Sequence, residues 1–206
     1  MNTIEFRNQL NEILKNITKD NIRFMIFETK DNESLKNILS EILLEPLYVQ
    51  GKTNLLVIYF NKDRVGINEY IDSLSDDIGT SVNVFEGFVI KNRNKNDLKE
   101  FMEIFYSSSF NLYGYSNIVD LVHVLRYDKE NINSLKKILL KEYLGDEEFL
   151  KIVRGMFENN LNVSKTSSSI YMHRNTLNNK LTLIENNTTL AIQNFKDAVA
   201  LYELLK

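Results

Sequence analysis

Two short helices joined by a tight turn are predicted near the C-terminus, and this feature limits the fold of the chain more than any other. The first helix is predicted in the segment Asn162–Thr166, and Ser164 is expected to cap it, because a serine hydroxyl accepts a hydrogen bond from a backbone N–H two or three residues on. The turn is Ile170–Met172, and the second helix begins at His173. Its inward side is marked by apolar residues at helical spacing, namely Leu177, Leu181 and Ile184.

The outward side of the second helix carries short amides and hydroxyls. An asparagine can donate to and accept from an adenine edge at once, and the second helix of such a pair is the one that enters the major groove. The pattern therefore predicts double-stranded DNA as the partner of this chain. The predicted DNA-contacting residues are Ser164, Lys165, Thr166, His173, Arg174, Asn175, Thr176, Asn178, Asn179, Lys180 and Thr182.

Phe149–Lys206 resembles the C-terminal helix-turn-helix domain of the PucR/CdaR family of bacterial transcription regulators. The residues that carry the resemblance are Asn162-Val163-Ser164, Thr166, His173-Arg174-Asn175-Thr176-Leu177, Leu181, Ile184-Glu185 and Asp197-Ala198-Val199-Ala200-Leu201. The chain departs from the family at Asn178–Leu181, where members usually carry Arg-Tyr-Arg-Leu. The resemblance implies a transcription regulator whose recognition helix starts at His173.

The composition is that of an ordinary globular protein, with 43% hydrophobic residues and a net charge of -3 over 206 residues. The absence of cysteine excludes disulfides, thiol catalysis and zinc–thiolate sites. No apolar run is long enough to span a membrane and no signal peptide is visible, so a cytoplasmic protein with no membrane partner is expected. Residues 151–206 hold seven Lys/Arg and four Asp/Glu, a net charge of +3 that is compatible with DNA binding.

Residues 1–116 are predicted to form an α+β domain. Periodicity indicates helices at residues 3–17, 31–44, 67–78 and 97–106, and strands at residues 22–27, 47–49, 55–60 and 82–90. This β-α-β-β-α-β order is the split pattern of ferredoxin-like folds. Residues 117–145, with helices at 118–127 and 134–143, are predicted to be a helical connector. Asp146 is expected to cap the first helix of the helix-turn-helix domain, residues 146–206.

The α+β domain resembles, in topology and position, the degenerate GGDEF-like domain that precedes the helix-turn-helix in CdaR-type regulators. An active cyclase of this fold carries Gly-Gly-Asp/Glu-Glu-Phe in its central hairpin, whereas this chain has Tyr48-Val49-Gln50-Gly51-Lys52-Thr53-Asn54. The hairpin has no second glycine and no carboxylate to hold a metal and polarise a triphosphate. A non-catalytic domain with no metal and no cofactor is therefore expected.

Three other patterns have a simpler interpretation. Gly51-Lys52-Thr53 is similar to the end of a P-loop, but Pro46 stands where the first glycine is needed, so a hairpin turn is predicted. His123 is predicted to pack between helices, and His173 either caps the second helix, touches a phosphate or only packs. The aromatic residues between Phe101 and Tyr115 are interpreted as core rather than as a base-stacking surface.

Two functions of different classes stay open. One is a DNA-binding transcription regulator, and the alternative is a signalling adaptor whose helix-turn-helix has decayed and which acts through protein partners. A homo-oligomer is expected because a single helix-turn-helix covers only a few base pairs. Its contacts are predicted in the N-terminal helix, with Ile4, Leu10 and Ile17, and in the helix at residues 118–127. The sequence does not identify a small-molecule effector.

Overall fold

The computed structural model describes residues 3–62 and 65–206, and these divide into two compact units. The N-terminal unit ends at Ile118, and the C-terminal unit begins at Val119. The strands of the described residues all lie in the N-terminal unit, while the C-terminal unit is helical. The chain is therefore an α+β protein in which a sheet domain precedes a helical one.

The N-terminal unit alternates helices and strands. In chain order these are α1 (Thr3–Asn16), β1 (Asn21–Glu28), α2 (Asn32–Ile42), β2 (Leu47–Gln50), β3 (Leu55–Tyr59), α3 (Ile71–Ile78), β4 (Asn83–Glu86), β5 (Ile90–Lys91), α4 (Asp97–Ser107) and β6 (Tyr115–Asn117).

The central strand of the sheet is β1. The strand order is β2-β3-β1-β4-β6, and β5 also pairs with β1. Among the described strands, the pairs are antiparallel apart from β4 with β6, which is parallel. Phe24–Phe27 is buried at every position, which is the behaviour expected of a short continuous apolar run that is covered on both faces.

The two faces of the sheet have different packing. On one face, α2 and α3 contribute aliphatic side chains to a core that includes Met25, Leu35, Leu39, Val57 and Leu74. On the other face, the ring of Phe24 lies 5.4 Å from that of Phe88 and 5.1 Å from that of Phe101 on α4. Phe101 and Phe105 are buried, which confirms the core interpretation of these rings, whereas Tyr113 is exposed.

The single strand predicted at residues 82–90 is wrong, because the chain bends between β4 and β5. The Gly87 backbone N–H donates to the Phe24 carbonyl at 3.0 Å, and a Cβ on Gly87 would lie 2.3–2.5 Å from three atoms of the Phe24 ring. Such a close approach of backbone and ring requires glycine. The residues between Gly87 and β5 therefore do not pair with β1 as a strand, and strand pairing with β1 resumes at Ile90.

The start of α2 agrees with the sequence. Asp31 caps α2 as predicted, since its carboxylate accepts from the Ser34 backbone N–H at 3.0 Å. This bond and the one from the Ser34 hydroxyl lower the pKa of Asp31. In contrast, the helix predicted from Ile67 is a 3-10 turn at Ile67–Glu69 followed by α3.

The C-terminal unit consists of six helices over its described residues, with α5 starting at the boundary. They are α5 (Ile118–Leu125), α6 (Lys129–Leu139), α7 (Glu147–Glu158), α8 (Val163–Ser169), α9 (Arg174–Thr188) and α10 (Phe195–Leu205). α6 begins earlier than the predicted Ser134 because Asp128 caps it, accepting from the Asn131 backbone N–H at 3.1 Å. Asp146 caps α7 as predicted, accepting from the Phe149 N–H at 3.1 Å.

The helices predicted as a connector, residues 117–145, pack in the same compact unit as the helix-turn-helix. Within this unit α6 lies against α10. The separation of the connector from the domain that follows it stays a prediction. His123, which was predicted to pack between helices, is instead exposed beside the Arg126 guanidinium. Over residues 3–62 and 65–206, no helix has the length and apolarity of a membrane span.

Candidate nucleic-acid interface

Gly155 sets the distance between α7 and α8. A Cβ at this position would lie 2.7 Å from Cγ2 of Ile170 and 3.2 Å from Cγ2 of Thr166. The Thr166 hydroxyl donates to the Gly155 carbonyl at 3.2 Å, so a side chain of α8 lies directly against the backbone of α7. The missing side chain at Gly155 therefore lets α8 pack tightly on α7 and fixes the first half of the two-helix motif.

Asn162, and not Ser164, caps α8. The backbone of Asn162 is extended, with φ -86° and ψ 107°, and its Oδ1 accepts from the Lys165 backbone N–H at 3.0 Å. Ser164 already lies inside the first turn of α8, where it is exposed. The predicted cap was wrong because both residue types cap helices well, and sequence alone did not place the helix start within two residues.

Replacing Asn162 by alanine should destabilise the C-terminal unit by about 1 kcal/mol, because the Lys165 N–H loses its acceptor. Ser164→Ala, two residues further on, is the matched control and should change stability much less. Urea denaturation followed by circular dichroism measures both. An equal loss in the two variants would show that Asn162 does not act as the cap.

The turn between α8 and α9 has a specific backbone conformation. Tyr171 has a positive φ of 54°, and the Met172 backbone N–H donates to the Ser167 carbonyl at 2.9 Å. His173 then caps α9, since its Nδ1 accepts from the Asn175 backbone N–H at 3.2 Å. An imidazole that accepts at Nδ1 and is neutral carries its proton on Nε2. Capping is therefore the role of His173 in the free protein.

The inward and outward sides of α9 are as predicted. Leu177, Leu181 and Ile184 are buried. Asn175, Asn179 and Thr182 are exposed on the opposite side. The predicted residues on the margins of this outer face are Arg174 and Thr176, which are exposed, and Asn178, which is half-buried. The helix thus presents one apolar side to the domain and one amide-rich side to solvent.

Glu148 of α7 and Tyr143, which precedes α7, both bind one flank of α9. Lys180 forms an ion pair with Glu148 of α7, and this carboxylate raises the pKa of Lys180. The Tyr143 hydroxyl accepts from the Asn187 side-chain amide at 2.9 Å and donates to the Leu183 carbonyl at 3.3 Å. Lys180, predicted as a DNA contact, is therefore engaged within the domain and lies off the amide-rich side.

The prediction that Thr166 contacts DNA is wrong. Its side chain is fully buried, and its hydroxyl bonds the Gly155 carbonyl. A residue in this position cannot reach a ligand on the surface. The neighbouring predicted residues Ser164 and Lys165 are exposed at the start of α8. Sequence reasoning misjudged Thr166 because the orientation of α8 depends on its contact with Gly155.

Tyr171 was missed as a candidate contact. Its side chain is 96% exposed, and it lies three residues before the start of α9 at Arg174. Tyr171 also has a positive φ, which is uncommon for a residue other than glycine. The sequence did contain a signal for this exposure: Tyr171 is a large aromatic residue in a predicted turn, where no element would bury it.

Comparison with known proteins gives one family match. Residues 149–206 match the PucR C-terminal helix-turn-helix domain, a span that runs from the first turn of α7 to the end of the chain. Residues 149–206 are a PucR C-terminal helix-turn-helix domain. The PucR domain contains α8, α9 and the outer face described above, and its identity supports a DNA-binding transcription regulator.

Solved structures also match the chain, and one of them aligns with most of it. It is the crystal structure of the regulator of polyketide synthase expression from Bifidobacterium adolescentis, with 13% sequence identity and a TM-score of 0.40. The match covers 95% of this chain and 82% of that chain. No curated protein matches the sequence.

Proposed function

We propose that the chain is a sequence-specific regulator of transcription that places the start of α9 in the major groove of duplex DNA. The observation that carries this proposal is the exposed, amide-rich side of α9, with Asn175, Asn179 and Thr182 opposite a buried apolar stripe. The match of residues 149–206 to a helix-turn-helix domain supports it and does not favour the protein-adaptor alternative. A regulator of this kind acts in the cytoplasm.

The residues have distinct proposed roles. Asn175 and Asn179 read base edges, since each can make two hydrogen bonds to an adenine. Arg174, Ser164 and Lys165 contact phosphates at the rim, where the charge of the DNA is highest. Thr182 lies on the same outward side as the two asparagines, while Thr176 and Asn178 lie on its margins. The exposed ring of Tyr171 adds a hydroxyl that can donate to a phosphate.

The general test is selection of bound fragments from genomic DNA by the purified protein. Fragments enriched over the input should share one sequence pattern. Recovery of fragments in proportion to the input, at every salt concentration tested, would contradict sequence-specific binding.

Replacing Asn179 by alanine should change the selected sequence at one position, with a loss of about 1–3 kcal/mol for the original site and little change in non-specific affinity. Asn175→Ala should act at a neighbouring position. Asn186→Ala is the matched control, because Asn186 is also exposed on α9 but lies two turns further from its start. An unchanged selected site for both Asn175→Ala and Asn179→Ala would exclude these side chains from readout.

Replacing Arg174 by alanine should weaken binding to all duplexes and make it less dependent on salt, by about one unit in the slope of log K against log[salt]. The Arg174 side chain forms no ion pair with any residue that the structure describes, so its charge is available to a phosphate. Arg154→Ala, an exposed arginine on α7, is the control and should give a smaller change in slope. A fluorescence-anisotropy titration over a series of salt concentrations measures both, and equal slopes for wild type and Arg174→Ala would contradict the role.

We also propose that the sheet domain is a degenerate, non-catalytic GGDEF-like domain of the ferredoxin-like class. The strand order β2-β3-β1-β4, with each neighbour antiparallel, supports this class. In the β2–β3 hairpin, the Gly51 N–H donates to the Asn54 carbonyl at 2.8 Å, and the Tyr106 hydroxyl donates to the Asn54 side chain at 2.8 Å. These contacts hold a hairpin that carries no carboxylate for a metal–triphosphate complex. GTP or ATP turnover by the purified protein would contradict the proposal.

The regulator is proposed to act as a homodimer on two half-sites. Two copies on one face of the duplex increase both affinity and the length of the site, and the half-sites would be about 10 base pairs apart or a multiple of this.

A further inference from the structure

We infer that the exposed side of α10 is the surface through which two copies of this chain associate. Phe195, Val199 and Tyr202 lie on this side and are 73%, 42% and 50% exposed. The spacing of four and three residues puts them in one row, called here the α10 stripe. The inference deepens the dimeric function proposed above by assigning its contact surface, and its test needs no DNA.

The α10 stripe is not the side by which the helix packs in its own domain. Ala198, Leu201 and Leu204 form the buried side of α10. A helix that is apolar on two opposite sides is typical of one covered on both. Single exposed apolar residues are normal on protein surfaces, but a continuous row with two aromatic rings is typical of a contact surface.

Neighbouring groups extend the α10 stripe into a patch. The ring of Phe157 on α7 meets that of Tyr202 edge to face, with centroids 5.8 Å apart. The Lys206 ammonium lies 5.0 Å from the centre of the same Tyr202 ring. Large aromatic side chains such as these are enriched in protein interfaces relative to the rest of the surface.

The charges beside the α10 stripe select a second copy as the occupant. Lys196 and Glu203 are seven residues apart, so they lie on the same flank of the helix, within about 20° of each other and about 10.5 Å apart along its axis. Two α10 helices can pair antiparallel around a two-fold axis near Val199. The flank that carries Lys196 and Glu203 in one copy then lies beside the same flank of the other copy, with the chain direction reversed. Lys196 of each copy then meets Glu203 of the other copy.

The reciprocal pairing is compatible with the contacts within one chain. Lys206 donates to Oε1 of Glu203 at 3.0 Å, and a carboxylate has a second oxygen to accept Lys196 of the other copy. In a parallel pair, this flank would lie against the opposite flank of the other copy, and Lys196 and Glu203 would have no reciprocal partner there. The charge pattern thus favours a symmetric antiparallel pair of the chain with itself.

The surfaces predicted from sequence do not offer a comparable row. Leu10 and Ile17, expected to form a contact on the N-terminal helix, are buried in the N-terminal unit. On α5, Leu121 and Val122 are buried as well. Ile4 of α1, Val124 near the end of α5 and Tyr127 just after it are exposed, but over the described residues none of them belongs to an exposed apolar row as long as the α10 stripe.

A single cysteine at position 199 tests the inference directly, because the native chain has no cysteine. Close to the two-fold axis, the two Cys side chains of Val199→Cys would face each other and should form a cross-linked dimer under mild oxidation. Asn186→Cys, exposed on α9, is the control for random collision. A dimer yield for Val199→Cys no higher than that for Asn186→Cys would overturn the proposal.

Charge reversal tests the pairing in solution. Lys196→Glu and Glu203→Lys should each raise the dimer dissociation constant by about tenfold or more, since like charges would face each other twice in every dimer. The double variant K196E/E203K should restore the wild-type value. Lys151→Glu and Glu158→Lys on α7 have the same charges and spacing and should leave the constant unchanged. Light scattering across a concentration series measures each constant.

Three results would overturn the inference in this experiment. They are a monomeric wild type at all concentrations, a double variant that associates no better than the single variants, or a dimer disrupted equally by the α7 reversals. Failure of DNA binding in a wild type that still dimerises through α10 would instead count against the proposed function alone.

Discussion

Replacement of Leu177 by alanine should abolish DNA binding at physiological temperature while leaving the sheet domain folded. Leu177 is fully buried at the centre of the inward side of α9. Truncation of a buried leucine to alanine costs about 2–5 kcal/mol, through lost burial and the cavity left behind. A small helical unit has little stability to spare, so a loss of this size unfolds a large fraction of it.

The measurement combines thermal unfolding with a DNA gel shift. Because the chain forms two compact units, the transition of the C-terminal unit should move to lower temperature and that of the N-terminal unit should not. Leu183→Ala is the matched control, since Leu183 is on the same helix but 50% exposed. An equal shift of the unfolding temperature in the two variants would contradict the orientation of α9.

Replacement of Gly87 by alanine should destabilise the sheet domain by about 3 kcal/mol, the upper part of the range for overpacked cores. The added Cβ would lie 2.3 Å from Cζ of Phe24. The Phe24 ring is buried, and the rings of Phe88 and Phe101 lie against it, so it cannot move aside. The strain must therefore spread into the backbone between β4 and β5.

Gly66→Ala is the control for this substitution. The nearest atom to its added Cβ, Cδ of Glu69, would be 3.7 Å away, an ordinary van der Waals distance. Chemical denaturation of both variants should give a large difference in the free energy of unfolding of the sheet domain. Retained DNA binding by Gly87→Ala is also expected, because the substitution lies in the other unit. A Gly87→Ala protein as stable as Gly66→Ala would show that the chain path at Gly87 is different.

Much of the recognition helix could be predicted from sequence because its signals are local. The recurrence of Leu177, Leu181 and Ile184 depends on the 3.6-residue period of the helix, and any amphipathic helix must turn these residues inward. The caps Asp31 and Asp146 could be predicted for the same reason, since a cap involves atoms within three residues of each other.

Local signals did not decide between neighbouring candidates. Asn162 and Ser164 are both good capping residues, and only the backbone path from α7 into α8 decides which one is outside the helix. Likewise, the alternating pattern of residues 82–90 gave no indication that Phe24, far away in the chain, would come close to Gly87 and interrupt the strand.

The sequence by itself determined which residues of α9 turn inward, the position of the two-helix motif and the identity of its amide-rich side, because these depend on spacings within a few residues. Only the tertiary structure decided whether Thr166, Lys180 and the apolar face of the N-terminal helix are free to bind a partner. Thr166 is buried by its contact with Gly155, Lys180 is held by Glu148, and Leu10 is covered by the N-terminal unit. Each of these depends on a residue from another element, and a sequence pattern records which side of a helix is apolar but not what covers it.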